Sequence, residues 1–423
     1  MAQEQDAAIG EATLAPHEIT MYSKDGCPFC EKALAFFDKH KLSYSVNYLN
    51  NDADRQAFYA RTGTSSVPQI FWNDPDGQTI HIGGYDDLIR KKNYVLGPRM
   101  KQVQEAYVVQ YPEAVEFAKT QNDVVWFDTE IEVSKDVQDI MVNLSESERH
   151  GVITVLKLFT LYELFAGDEY WGGRVHDMFP RPDIRRMANC FSFFEINSHA
   201  PFYNKLNEAL SLNTEEFYTD YVEDDTLRER MEFVDRAVNN PDDLVSLAVF
   251  SMVEGAVLYS SFAYLKHFQS KGKNKLLNVV RGINFSVRDE NLHAEGGAWL
   301  YRTLKKEMDE CDRLNTYAMC QADREEIIKA AAHKLYEHEC RIIDMIFEKG
   351  RIEGITDVQM KHFVQSRINE CLRRLDIAPI FEVKYNPVQE WFYDGINSYQ
   401  FHDFFSGAGS DYNRDWDETG FEW

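Results

Sequence analysis

Positive charge is scarce in this sequence. Lys and Arg number 45 against 70 Asp and Glu, a formal net charge of −25. Such a surface repels phosphate backbones and argues against a nucleic-acid partner. No glycine-rich nucleotide-binding loop is identifiable, so the chain is not expected to transform nucleotides alone. No apolar run reads as a transmembrane helix and no signal peptide precedes Ile19, so no membrane partner is expected. Cysteine is sparse and scattered, with seven in all and only Cys27 and Cys30 close together. An odd, dispersed count excludes a disulfide framework and points to a reducing cytoplasm. Internal repeats are absent, and β signals nearly vanish past residue 100.

What remains is long, aromatic and helical. The 423 residues suffice for two or three domains, and 28 Phe and 22 Tyr suit a thick helical core. Residues 1–16 are small, polar and acidic without periodicity, and read as a disordered leader. A short β-like run over 18–22 then leads into Cys27-Pro28-Phe29-Cys30 and a helical stretch from Glu31 to His40. Cys27 at the helix N-terminus meets the helix dipole and Lys24, which favour its thiolate for attack on disulfides. Cys30, one turn on, would resolve the mixed disulfide. A zinc site would need a second such pair or a nearby Cys/His pair, and none follows. Val67-Pro68 precedes a β run, as a cis-proline loop would. Gly83-Gly84-Tyr85-Asp86-Asp87 is a glycine turn opening a helix, suited to holding a carboxylate. Gly97-Pro98 marks a hinge. The expected division is a leader over 1–16, a small α/β unit over 17–92, a linker over 93–109, a helical unit over 110–402 and a flexible tail over 403–423.

The helical unit carries acids where apolar side chains belong. Glu290 and His293 sit three apart within an apolar pattern running from Leu276 to Leu300, so they share a helix face. Glu195 and His199, four apart, share a face on a helix read from Met187 to Leu210. Glu254 is the one acid within the apolar helix Leu244 to Phe268. Glu163 lies on a helix that starts near Leu144 and runs to Phe165, with Asp168 as the alternative acid. Buried acids and imidazoles are costly unless they bind something. Glu163, Glu195, His199, Glu254, Glu290 and His293 together form a hard, oxygen-rich set suited to iron or manganese, as Fe₂, Mn₂ or Fe/Mn. Four-helix carboxylate proteins use this device, with Glu-x-x-His on two helices and single acids on two others. The cluster His333, Glu337 and His338 lies among Lys and Glu and reads as a solvated helix face.

Two family resemblances rest on these residues. Residues 18–92 resemble a dithiol glutaredoxin of thioredoxin-like α/β fold. The resemblance implies glutathione binding around Lys24, Val67, Pro68, Gly84 and Asp86. Residues 110–423 resemble the radical-generating small subunit of class I ribonucleotide reductase, an all-α ferritin-like bundle. The residues carrying that likeness are Glu254-Gly255, Ser286 to His293, and Trp126 with Glu132-Val133-Ser134-Lys135-Asp136. The chain departs from that family at Ile196, where Glu is common three before the histidine. Either Glu195 reaches the metal from one position earlier or the helix takes a local π-type adjustment. The resemblance places a radical tyrosine at Tyr203 and a relay through Asp289, His199 and Trp126. It places a relay tyrosine of the docking tail at Tyr412. It implies a homodimer, a separate large catalytic subunit that makes deoxyribonucleotides, and regeneration of that subunit by the fused dithiol and glutathione. The rival readings are a di-iron oxidase or hydroxylase, or a ferritin-like iron-binding protein, fused to a glutaredoxin.

Overall fold

A computed structural model describes residues 18–73, 79–104, 106–311, 321–383 and 386–392, without the side chains of residues 18, 160, 161, 220–222 and 321. The expected leader and tail, with Tyr412, lie outside these residues.

The first unit comprises β1 (Glu18–Ser23), α1 (Pro28–Lys39), β2 (Tyr44–Tyr48), α2 (Asp52–Thr62), β3 (Gln69–Asn73), β4 (Thr79–Gly83), α3 (Tyr85–Arg90) and α4 (Lys92–Leu96). The strands form one sheet in the order β2-β1-β3-β4. β1 runs parallel to β2 and antiparallel to β3, which pairs antiparallel with β4. The parallel pair needs a crossover, which α1 supplies by burying Ala33 and Phe37 in a core with Ile19, Met21, Ile70 and Trp72. α1 starts where it does because Cys27 is extended and its Sγ accepts from Cys30 N, with Pro28 in the first turn. Asn51 caps α2 by accepting from Asp54 N at 2.7 Å, and Gly63 ends it at φ +69°.

The passage between the two cores is short. Val95 packs in the first core and Met100 in the second, with Gly97 at φ +70° and Pro98 between them. Beyond it the segment is pinned to the second unit. Met100 N and Tyr111 Oη both donate to Glu307, at 2.8 and 2.7 Å.

The second unit is helical, and no strand follows Gly83 among the described residues. Its main helices are α5 (Pro112–Asp123), α6 (Glu146–Leu164), α7 (Pro182–Phe194), α8 (Ala200–Ala209), α9 (Glu215–Glu223), α10 (Asp225–Val238), α11 (Asp243–Met252), α12 (Tyr259–Lys266), α13 (Leu277–Glu310), α14 (Gln321–Ile346) and α15 (Asp357–Arg374). π-helical segments Glu195–His199 and Val253–Val257 join α7 to α8 and α11 to α12, and another, Phe165–Val175, extends α6. Gly255 shows how closely these helices approach: a Cβ there would overlap Cys371 Sγ on α15. The molecule is thus a thioredoxin-like α/β unit followed by an all-α ferritin-like bundle.

Two sequence expectations need correction. The stretch Asp243–Gly272 is long and apolar enough by composition to cross a membrane, yet its most apolar window is wholly buried in the bundle. It is the central helix of a core, which must be apolar all round. The supposed solvated face on α14 is divided. His333 and Glu337 are exposed, but His338 is buried, next to the buried Glu339 that pairs with Arg230 and accepts from Ser260 Oγ at 2.6 Å.

Candidate metal centre

The six candidate ligands come from four helical stretches and meet in the bundle core. Each is at most 3% exposed. Their donor atoms fall into two groups, each within 4.8 Å: Glu163, Glu195, His199 and Glu290 in one, Glu195, Glu254, Glu290 and His293 in the other. Glu195 and Glu290 belong to both, and each group has one histidine. His199 Nδ1 lies 2.9 Å from Glu195, 3.2 Å from Glu290 and 3.5 Å from Glu163. His293 Nδ1 lies 2.5 Å from Glu195, 3.8 Å from Glu290 and 3.9 Å from Glu254. Asp168, the alternative first acid, is exposed and stands outside both groups.

The odd spacing of Glu195 and His199 has a local cause. They begin and end a π-helical segment. Its wider turn carries a fourth residue to nearly the place that a third occupies in the regular helix α13, where Glu290 and His293 stand. Glu254 also lies in a π segment, and another starts two residues after Glu163.

The surroundings orient both imidazoles. His199 Nε2 is 3.2 Å from Asp289 Oδ2, and His293 Nε2 is 3.1 Å from Gln121 Oε1. Both partners can accept from Nε2–H, which fixes the rings with each Nδ1 facing the carboxylates. Trp171 Nε1 donates to Glu254 Oε1 at 2.9 Å.

Electrostatics decide what such a cluster can hold. Burial pushes Glu163 and Glu290 up to about 8, and Glu254 well above the usual carboxylate range. It pushes His293 down to about 4. Burial also opposes charge on His199, but Glu195, Asp289 and Glu163 hold it well above its ordinary value. Both oxygens of Glu163, Glu195 and Glu290, and Nδ1 of both histidines, lack hydrogen-bond partners. Unpaired buried carboxylates are too costly to keep unless a cation takes them. The donor set therefore fits a pair of hard metal ions.

Tyr203 sits one turn past His199, fully buried on α8. Its hydroxyl donates to Ser286 Oγ at 3.2 Å, and its ring stacks on Phe159 at 4.2 Å. Trp126 Nε1 donates to Asp289 Oδ2 at 2.7 Å, and the indole stacks on His199 at 5.7 Å. Trp126, Asp289 and His199 are thus one buried chain of contacts. Gln121, Phe159 and Trp171 were missed by the sequence reading, since nothing in their spacing marks them.

In the small unit, Cys27 and Cys30 are buried at 5% and 2% exposure, and Cys27 Sγ accepts from Cys30 N at 3.4 Å. Cys27 Sγ also donates to Val67 O at 3.7 Å, beside the cis Val67-Pro68 bond. Lys24 and Asp86 are exposed, Val67 and Gly84 half-buried, and Pro68 buried. Gly84 opens α3, and its N–H is taken by Asp87 Oδ2 at 3.0 Å.

Comparison with known proteins follows the same division. The family model for the ribonucleotide reductase small chain matches residues 104–387, and the glutaredoxin model matches residues 19–75. A probable ribonucleoside-diphosphate reductase small subunit of Invertebrate iridescent virus 3 is 24% identical over 325 residues, covering 72% of this chain and 83% of that protein. Glutaredoxin 1 of Rickettsia typhi is 36% identical over 75 residues, covering 17% of this chain and 67% of its own. The crystal structure of a putative class I ribonucleotide reductase from Bacillus halodurans aligns with a TM-score of 0.59 at 22% identity, over 67% of this chain and 99% of that one. With a family match spanning most of its length, the chain belongs to the ribonucleotide reductase small-chain family of oxidoreductases and carries a glutaredoxin unit ahead of it.

Proposed function

We propose that the chain is the radical-generating subunit of a class I ribonucleoside-diphosphate reductase, with its own disulfide reductase attached. The observation that carries this reading is the paired carboxylate and histidine cluster with Tyr203 one turn beyond it. Glu163, Glu195, His199 and Glu290 would hold one ion, and Glu195, Glu254, Glu290 and His293 the other. A bound iron or manganese pair supplies the oxidising equivalent from O₂ or a related oxidant. Tyr203 is the residue oxidised, giving up one electron and the phenolic proton now shared with Ser286 Oγ. Phe159, stacked on its ring, and Phe262, stacked on Phe159 at 5.3 Å, exclude water from it. His199, Asp289 and Trp126 offer a hydrogen-bonded route from the centre outward, for an electron coupled to a proton. An oxidase or an iron store has no use for that route.

The partner is a separate large subunit, which the tail over 403–423 meets, with Tyr412 as the relay. The assembly is a homodimer working in a reducing cytoplasm. The units divide within the 93–109 segment, at Gly97-Pro98, so that α4 (Lys92–Leu96) stays with the glutaredoxin unit and Met100 onward goes with the bundle. Cys27 attacks the disulfide left on the large subunit, and Cys30 then displaces the product, leaving a Cys27–Cys30 disulfide. Two glutathione molecules bound around Lys24, Val67, Pro68, Gly84 and Asp86 reduce it and leave as glutathione disulfide. Tyr203→Phe keeps the ring and loses the oxidisable hydroxyl. Metal content should persist while the tyrosyl signal in electron paramagnetic resonance and deoxyribonucleotide formation vanish. An unchanged radical signal would move the role to another tyrosine.

A further inference from the structure

A groove of about 690 Å³ runs along the small unit, between α1, α3 and α4 and the segment just past Gly97. Its cations are Lys32, Lys39, Lys92 and Arg99, and no Asp or Glu lines it. Arg99 is paired with Glu307 at 3.4 Å, and the three lysines, which face no acid, stand out in a chain of net charge −25. Burial first, and Lys39 and Lys92 after it, lower the His40 imidazole below its ordinary value. The walls between the cations are apolar, with Phe36 half-buried and Ile89 39% exposed. Lys32 Nζ stands over the rings of Phe29 and Tyr85, at 5.3 and 5.9 Å. Such a surface asks for a ligand that is anionic and aromatic at once.

The chain encodes one. Residues 411–423 contain Asp411, Asp415, Asp417, Glu418 and Glu422 against Arg414 alone, interleaved with Tyr412, Trp416, Phe421 and Trp423. The connection from Phe392 to the last residue would span about 100 Å if extended. A compact chain of this length has a radius of gyration of about 22 Å. Reach is therefore no obstacle, and tethering raises the local concentration of the segment at the groove. We propose that this basic groove of the glutaredoxin unit is a docking site for residues 411–423 of its own chain. The segment so held is the one assigned above to the large subunit, so the two contacts compete and the glutaredoxin unit controls when the tail is free. The docking rests on the groove and the tail sequence, and the competition rests on the tail assignment proposed above.

Hydrogen exchange read by mass spectrometry on the full-length chain tests it. Amides in 411–423 should exchange about tenfold more slowly at low salt than at about 0.5 M, where charge attraction is screened. Lys39→Glu/Lys92→Glu should remove that protection, and so should Asp415→Lys/Asp417→Lys/Glu418→Lys. Combining the two reversals should restore part of it, because the unpaired groove charge and the tail charge then again have opposite signs. Metal content, unaltered by Lys39→Glu/Lys92→Glu, verifies that the bundle is intact, and the tyrosyl signal of the same sample tests the radical reading separately. Exchange that ignores salt and both reversals overturns the proposal. Protection that grows with protein concentration overturns it too, because the occupant is then the tail of a second copy.

Discussion

Removing Asp289 tests how the centre is held. Its Oδ2 accepts from Trp126 Nε1 at 2.7 Å and faces His199 Nε2 at 3.2 Å, while its Oδ1 accepts from Arg288 Nε at 3.3 Å. Asp289→Ala strands the indole N–H of Trp126, which is 2% exposed, at a cost of about 1–3 kcal/mol. His199 also loses the acceptor that keeps Nε2 turned outward and Nδ1 towards the carboxylates. Loss of such an orienting partner weakens metal binding about 10–100-fold. Asp289→Asn separates the two effects. Its amide oxygen can still accept from Trp126, so most of the stability should return. It cannot also accept strongly from His199, so most of the affinity loss should remain. Urea unfolding of metal-free protein reads the first quantity, and competition with a chelating dye reads the second. If Asp289→Ala matches the wild type in both, these hydrogen bonds do not position His199 and the argument fails.

Two further outcomes follow from packing and thiol chemistry. Gly255→Ala should destabilise the bundle by about 1–3 kcal/mol through overpacking, because its Cβ would overlap Cys371 Sγ and lie 3.2 Å from Ala294 Cβ. Thermal unfolding measures this, and an unchanged midpoint would mean that α15 and the Val253–Val257 segment are not so close. Cys27→Ser should lose turnover supported by glutathione, glutathione reductase and NADPH, yet recover with dithiothreitol. Normal turnover of that variant on glutathione alone would remove the fused unit from the reductant role.

The candidate cluster was legible because its chemistry contradicts its setting. Glu254 stands among Val249, Phe250, Met252 and Val253, where a solvated face is impossible, and Glu290 and His293 repeat at helical spacing in an apolar pattern. The glutaredoxin unit was legible from local turn chemistry, since a helix cap, a proline loop and a glycine turn each show in a few residues. Other features depend on contacts between distant segments. The bond from Trp171 to Glu254 and that from Gln121 to His293 span 83 and 172 residues, and no local pattern encodes them. The π segment at Glu195 showed only as a spacing one residue too long. His338 was misread for a different reason. Its polar neighbours suggest solvent, but Leu335, Ile342 and the buried Glu339 place it on the inward face of α14. Charge composition outweighed periodicity there, where periodicity was the better guide.

The central claim is that one buried cluster holds two ions beside an oxidisable tyrosine. Metal analysis of freshly isolated protein, with electron paramagnetic resonance on the same sample, tests it most directly. The account predicts two ions of iron or manganese per chain, matching the two donor groups, together with a tyrosyl signal. Glu254→Ala, which strips one group of a ligand, should lose most of the metal. A wild-type chain that binds a single ion, or a Glu254→Ala variant that retains both, would contradict it.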